Sequence, residues 1–218
     1  MRLYDYAASA NCLKVRLLLA LLGRSYERVP VDIFAGDTQT PEFLALNPAG
    51  RTPVLELDDG RAIPESNAIL VLLAEGTDFM PASAFERARV FGWLFLEQNL
   101  VESNVGTARF WRLTGRDASR PGAFAERVEA GTAGLAILER HLVDRAWLVG
   151  ERVSAADVAL YAYTHVAHEA GIDTEPFQAI AAWLRRIEGE PGFANDLEPY
   201  PENAMAGQNR ASIHDRRL

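Results

Sequence analysis

A small α/β domain followed by an all-helical domain is the fold class this sequence predicts, and three observations carry it. The order of elements up to Gly76 reads β-α-β-α-β-β-α. Thr77 to Ala84 then contains Pro81 and no hydrophobic periodicity, so it reads as a linker. Every later segment spaces its apolar residues as a helix does. The expected division is 1–76 for the first domain, 77–84 for the linker, 85–198 for the helical domain and 199–218 for an extended tail. A chain of 218 residues has room for both cores.

The elements follow in order. Arg2 to Tyr6 alternates apolar and polar side chains like a half-buried strand, and Ala7 to Asn11 is a small polar loop leading into a helix. Cys12, Val15, Leu18, Leu19 and Leu22 recur at helical spacing, and Gly23 supplies the C-terminal cap. Tyr26 to Ile33 reads as a strand, and Thr40-Pro41 as an N-cap and first-turn proline for a short helix through Leu46. Val54 to Leu57 and Arg61 to Pro64 form a hairpin around Asp58-Asp59-Gly60, since Asp-Gly tolerates the positive φ angles of a tight turn. Glu65-Ser66 opens a helix that closes near Gly76. Further helices are expected over Ala84 to Leu113, Pro121 to Leu142, Ser154 to Glu169 and Pro176 to Ile187.

Composition narrows the function. Hydrophobic residues at 49% and charged residues at 24% fit a globular protein. A formal charge of −8, with no cluster of Lys and Arg among aromatics, argues against nucleic acid as a partner. Met1 to Ala10 has no signal-peptide core, and the run Val15 to Leu22 contains Arg16 and is too short to span a bilayer. A single cysteine, Cys12, fits a reducing compartment, so a cytoplasmic protein without membrane attachment is expected.

Four short pieces carry the chemistry: Ser9-Ala10-Asn11-Cys12 before the first helix, Asn47 to Leu55 (NPAGRTPVL) before the hairpin, Glu65-Ser66-Asn67-Ala68-Ile69 opening the third helix, and Ser154-Ala155-Ala156-Asp157 in the helical domain. In this order and at these distances they resemble the cytosolic glutathione transferases, in particular serine-type members similar to the theta and zeta classes. The resemblance covers essentially residues 1 to 190. It implies a thioredoxin-like N-terminal domain that holds glutathione and an all-α domain that forms most of the pocket for a second substrate, a small hydrophobic electrophile. It also implies a homodimer.

The same resemblance distributes roles among residues. Thr52, extended because it precedes Pro53, would pair its backbone with the cysteinyl unit of glutathione, and Pro53 is cis in the family. Ser66 would bind the γ-glutamyl carboxylate at a helix N-terminus and Glu65 the ammonium. Arg51 and Gln39 fall near the glycine carboxylate. Ser9 falls where the hydroxyl that hydrogen-bonds the sulfur is kept, and Asn11 at the same helix mouth can share or take that role. A free thiol of pKa about 8.5 is mostly protonated at neutral pH, and lowering it by roughly two units takes about 2.7 kcal/mol of preference for the thiolate. A hydrogen bond to a charged group supplies roughly 1.5 to 3 kcal/mol and a helix N-terminus up to about 2, so no metal is needed.

Other readings of the residues stay open at this stage. Ser66 also suits a plain N-cap, and Arg51 and Gln39 suit a solvated surface. Cys12 reads as a small buried hydrophobe beginning the apolar stripe, against the alternative of a redox nucleophile in a thiol-disulfide oxidoreductase. The Ser-Ser-Cys run of the zeta isomerases is absent. Ser154 to Asp157 is a capping box, assigned to folding. Arg109 is the candidate for the second-substrate pocket. His165, His168 and Glu169 share a helical face, but nothing else completes a metal site around them. Activity on an electrophilic carbon or on a hydroperoxide is the leading expectation, and a non-catalytic binding protein of the same fold the remaining alternative.

Overall fold

The computed structural model describes residues 1–207. Four strands, β1 (Arg2–Asp5), β2 (Glu27–Pro30), β3 (Val54–Glu56) and β4 (Ala62–Pro64), form one sheet in the order β2-β1-β3-β4. β1 pairs parallel with β2 and antiparallel with β3, and β4 closes an antiparallel hairpin on β3. Around the sheet lie α1 (Ala10–Leu21), α2 (Pro41–Leu46) and α3 (Ser66–Ala74). The second strand is shorter than the Tyr26 to Ile33 expected, because past Pro30 only Val31 continues the β1 bonding, through Asp5. Thr40 caps α2 by accepting from the Phe43 N–H at 3.2 Å, and Gly60 makes the hairpin turn at φ 82°.

The helical part contains α4 (Ala84–Leu96), α5 (Thr107–Leu113), α6 (Pro121–Leu142), α7 (Ala155–Thr164) and α8 (Gln178–Glu188). The single helix expected over Ala84 to Leu113 is interrupted by a π-helical stretch, Glu97–Gly106. Side chains that bond main-chain carbonyls accompany the change: Asn67 Nδ2 donates to Leu94 C=O at 3.1 Å, and Asn104 Nδ2 donates to Leu100 C=O at 2.9 Å. α7 ends at Thr164 rather than Glu169, with a 3-10 turn at Ala167–Ala170 and Gly171 at φ 87°. α8 starts two residues later than expected, where Glu139 accepts from the Ala179 and Ile180 N–H groups at 2.9 and 2.8 Å.

α1 holds the two parts together. Its apolar residues Val15, Leu18 and Leu19 belong to one core with Leu70 and Leu73 of α3 and Val158 and Ala159 of α7. Every residue from Cys12 to Leu19 is buried, so α1 is a buried helix rather than one with a solvated face, and its charged members Lys14 and Arg16 have ion-pair partners. Asp157 stabilises the helical part by accepting from the Ser154 N–H, the Ser154 hydroxyl, the Leu148 N–H and the Trp183 indole, at 2.7 to 3.0 Å.

The tail crosses both parts. Ala204 C=O accepts from Arg116 at 2.6 Å, Asn203 donates to Asp32 at 2.7 Å, and Ala206 N–H donates to Thr114 C=O at 2.8 Å. The expected tail from Pro199 is thus folded back as far as Gly207, while Arg210, Arg216 and Arg217 lie outside the described residues. Among the described residues no helix is long and apolar enough to cross a membrane.

Candidate active site

The site begins with the mouths of two helices. Ser9 is the N-cap of α1, and its Oγ accepts from the Cys12 N–H at 3.4 Å. Asn11, in the first turn of α1, faces Ser66, the first residue of α3: the Ser66 hydroxyl donates to Asn11 Oδ1 at 3.1 Å. Two N-termini, each with unpaired N–H groups, therefore converge across one hydrogen bond.

A cavity of about 70 Å³ opens there, lined by Asn11, Asn47, Arg51, Thr52, Pro53, Glu65, Ser66, Gln98 and Glu102. It brings together six of the residues that the sequence pointed to: Asn11, Arg51, Thr52, Pro53, Glu65 and Ser66. The Thr52-Pro53 peptide is cis. Glu65 has φ 72°, the one positive φ among the described non-glycine residues, a conformation that costs of order 1–3 kcal/mol and is held where the surrounding structure demands it.

Two expected residues stand beside this wall rather than in it. Ser9 is half-buried and does not line the cavity. Gln39 is exposed, donates to Thr38 Oγ1 at 3.1 Å, and lies against Gly50, where a Cβ would come within 2.5 Å of its amide nitrogen. It therefore flanks Arg51 at the rim.

Three lining residues had no role assigned from the sequence. Asn47 shapes the loop before Pro53: its Nδ2 donates to Arg51 C=O at 2.7 Å and its Oδ1 accepts from Ala49 N–H at 3.0 Å. Asn followed by Pro and Gly was the only signal for that role. Gln98 and Glu102 come from the π-helical stretch, and Glu102 accepts from Asn11 Nδ2 at 2.8 Å. Nothing in a helical spacing shows which residues face another domain. Behind Ser66 is a fully buried ammonium, Lys14, 3.4 Å from Ser66 Oγ and ion-paired with Glu97 at 2.8 Å.

Cys12 is buried, and its sulfur accepts from the Tyr6 N–H at 3.4 Å. Burial, with the nearby Asp5 carboxylate adding to it, pushes its thiol up to about 12. Such a thiol is protonated at neutral pH and is a poor nucleophile.

Arg109 lies elsewhere. It lines a second cavity of about 500 Å³ with residues of α5, the turn that follows α7 and the tail, among them His165, His168, Glu169, Tyr200 and Met205. Its Nε donates to Glu169 at 2.5 Å, and its Nη1 to Ala8 C=O at 3.4 Å and the Tyr200 hydroxyl at 3.5 Å. It thereby braces the residue before Ser9. His165, His168 and Glu169 share this wall, but among the described residues no three His, Cys, Asp or Glu side chains converge as metal ligands.

Comparison with known proteins agrees over most of the chain. The family model described as the N-terminal domain of glutathione S-transferase matches residues 8–75, and that of the C-terminal domain matches residues 111–191. Maleylacetoacetate isomerase of Pseudomonas aeruginosa is 31% identical, over 86% of this chain and 89% of its own. The disulfide-bond oxidoreductase YfcG of Escherichia coli is 29% identical, over 88% of this chain and 92% of its own. The crystal structure of a glutathione S-transferase from Pseudomonas fluorescens superposes with a TM-score of 0.88 at 43% identity, covering 90% of this chain and 98% of that one.

Proposed function

The chain belongs to the glutathione S-transferase family, and on that premise we propose that it binds glutathione in the cavity between the mouths of α1 and α3 and presents its thiolate to a small hydrophobic electrophile. One observation carries this reading: Asn11, Thr52, Pro53, Glu65 and Ser66, from three separate stretches of sequence, wall one cavity. The γ-glutamyl carboxylate sits at Ser66 and the α3 N-terminus, its ammonium meets Glu65 and Glu102, and Arg51, with Gln39 at the rim, receives the glycine carboxylate. Thr52 pairs with the cysteinyl backbone, which directs the sulfur toward the α1 N-terminus. There Ser9 and Asn11 donate hydrogen bonds to the thiolate, and the helix dipole favours its charge. The thiolate then attacks an electrophilic carbon, forming a C–S bond and expelling the leaving group, or reduces a hydroperoxide.

Disulfide exchange is a second reading, and the burial of Cys12 shapes it: the attacking sulfur would be that of glutathione, not of the protein. The exposed face of α4 supports a homodimer. Phe85 (74% exposed) and Phe95 (66%) flank Ala88 and Gly92 on one stripe of that helix, and Leu72 on α3 is 41% exposed. Turnover with 1-chloro-2,4-dinitrobenzene and with cumene hydroperoxide, each with glutathione, tests the activity. Product formation with either supports the reading; failure of both in a protein that binds glutathione contradicts it.

A further inference from the structure

Lys14 is the least expected charge in the molecule. It lies in the middle of α1, completely buried, where a Leu or Met would pack between α3 and α7 without the desolvation cost that a buried ion carries. Glu97 of the π-helical stretch answers its charge at 2.8 Å. The ammonium does more than make that pair. Its remaining contacts are Ser66 Oγ and Asn67 Oδ1, each at 3.4 Å, and the face of Tyr163, 5.4 Å from the ring centroid.

An ammonium has three donors and no acceptor, so Ser66 Oγ can only accept from it. The proton of Ser66 is then left to point away from Lys14, and it does so toward Asn11 Oδ1 on the cavity wall. Asn67 is polarised in the same way: its Oδ1 accepts from Lys14, while its Nδ2 donates to Glu97 at 2.9 Å and to Leu94 C=O at 3.1 Å. A serine beside a neutral residue could either donate to or accept from a ligand. Beside Lys14 its proton is turned away from the ammonium, toward the cavity wall.

We propose that Lys14 is a positioning residue that turns the Ser66 hydroxyl proton toward the cavity at the mouth of α3, so that this subsite selects a carboxylate. The inference rests on the glutathione reading and deepens it: the carboxylate is the α-carboxylate of the γ-glutamyl end. Lys14 touches no substrate and acts through Ser66.

The test compares glutathione with γ-aminobutyryl-cysteinyl-glycine, which keeps the amine, the amide and the thiol but lacks that carboxylate. Binding of both is measured by calorimetry to the intact protein and to K14M/E97Q, which removes both buried charges together and so leaves no unpaired ion. Should that pair fail to fold by circular dichroism, Lys14→Gln with Glu97→Gln keeps polar groups at both positions and carries the same comparison. The intact protein is expected to prefer glutathione, and the variant to lose about tenfold of that preference while binding the analogue as before. A merely structural role would weaken both ligands equally. Equal loss, or no loss, overturns the inference and leaves the glutathione reading standing. If the intact protein binds neither ligand, the glutathione reading fails and this inference falls with it.

Discussion

The Ser66 hydroxyl donates to Asn11 Oδ1 at 3.1 Å, joining the first turn of α3 to the first turn of α1. The two groups are 55 residues apart in sequence, and each lines the same cavity. Binding at one helix mouth is thus coupled to the orientation of the group at the other. Replacing Ser66 with Ala removes the donor proposed for the carboxylate and frees Asn11, and is expected to weaken glutathione by about 2 kcal/mol, or roughly thirtyfold in Kd. Calorimetry checks it, and a change under threefold would remove Ser66 from the carboxylate subsite.

Glu65 offers a trade between stability and binding. Its φ of 72° suits glycine far better than glutamate, so Glu65→Gly is expected to raise stability by about 1 kcal/mol. It also deletes a carboxylate from the cavity wall and should weaken glutathione binding. A thermal melt and a binding isotherm on the same variant are expected to move in opposite directions.

Cys12 predicts a pH dependence of known sign. Its thiol is pushed up to about 12 in the folded chain, against about 8.5 for a free thiol. Above pH 8.5 the unfolded chain releases this proton while the folded chain keeps it, so stability is full below that pH and falls as pH rises toward 12. Cys12→Ala should flatten this alkaline decline in urea melts taken from pH 8 to 11. The native thiol should also resist iodoacetamide at pH 8, and rapid alkylation of the folded protein would revive Cys12 as a redox nucleophile.

Much of this arrangement was legible in the sequence, because the signals were local. The Asp-Gly hairpin, the Thr40-Pro41 helix start and the Ser154/Asp157 cap each depend on neighbours a few residues away, and each is present in the structure. The cavity residues Asn11, Thr52, Pro53, Glu65 and Ser66 were legible through short motifs. What was hidden depends on distant partners. The π-helical Glu97–Gly106 departs from a plain helical period where Asn67, thirty residues before Glu97, bonds both that carboxylate and the Leu94 carbonyl. Lys14 and Glu102 likewise gain their meaning only when α1 meets the helical part. Arg109 was legible as a pocket residue but not as a brace for Ala8.

The brace can be tested. Arg109→Met keeps most of the side-chain volume but breaks the bonds to Glu169 and Ala8. It is expected to lower kcat about tenfold with glutathione affinity nearly unchanged, because the loop carrying Ser9 loosens while the Ser66 subsite stays intact. Steady-state kinetics separate the two terms, and a rise in KM for glutathione alone would refute this division.

The dimer face has its own check. Phe85→Glu with Phe95→Glu places charge on the exposed stripe of α4 and should convert a dimer of this chain into a folded monomer, read by light scattering after gel filtration. A monomer before mutation would show that the stripe has another purpose.

The central claim is that the α1 mouth, through Ser9 and Asn11, holds glutathione as its thiolate. The most direct measurement is the ultraviolet thiolate absorbance of bound glutathione as a function of pH, in the intact protein, Ser9→Ala and Asn11→Ala. The account predicts a bound thiol that titrates roughly two units below its free value in the intact protein, and returns toward it when the donating side chain is removed. Glutathione that binds but titrates as the free thiol does would contradict it.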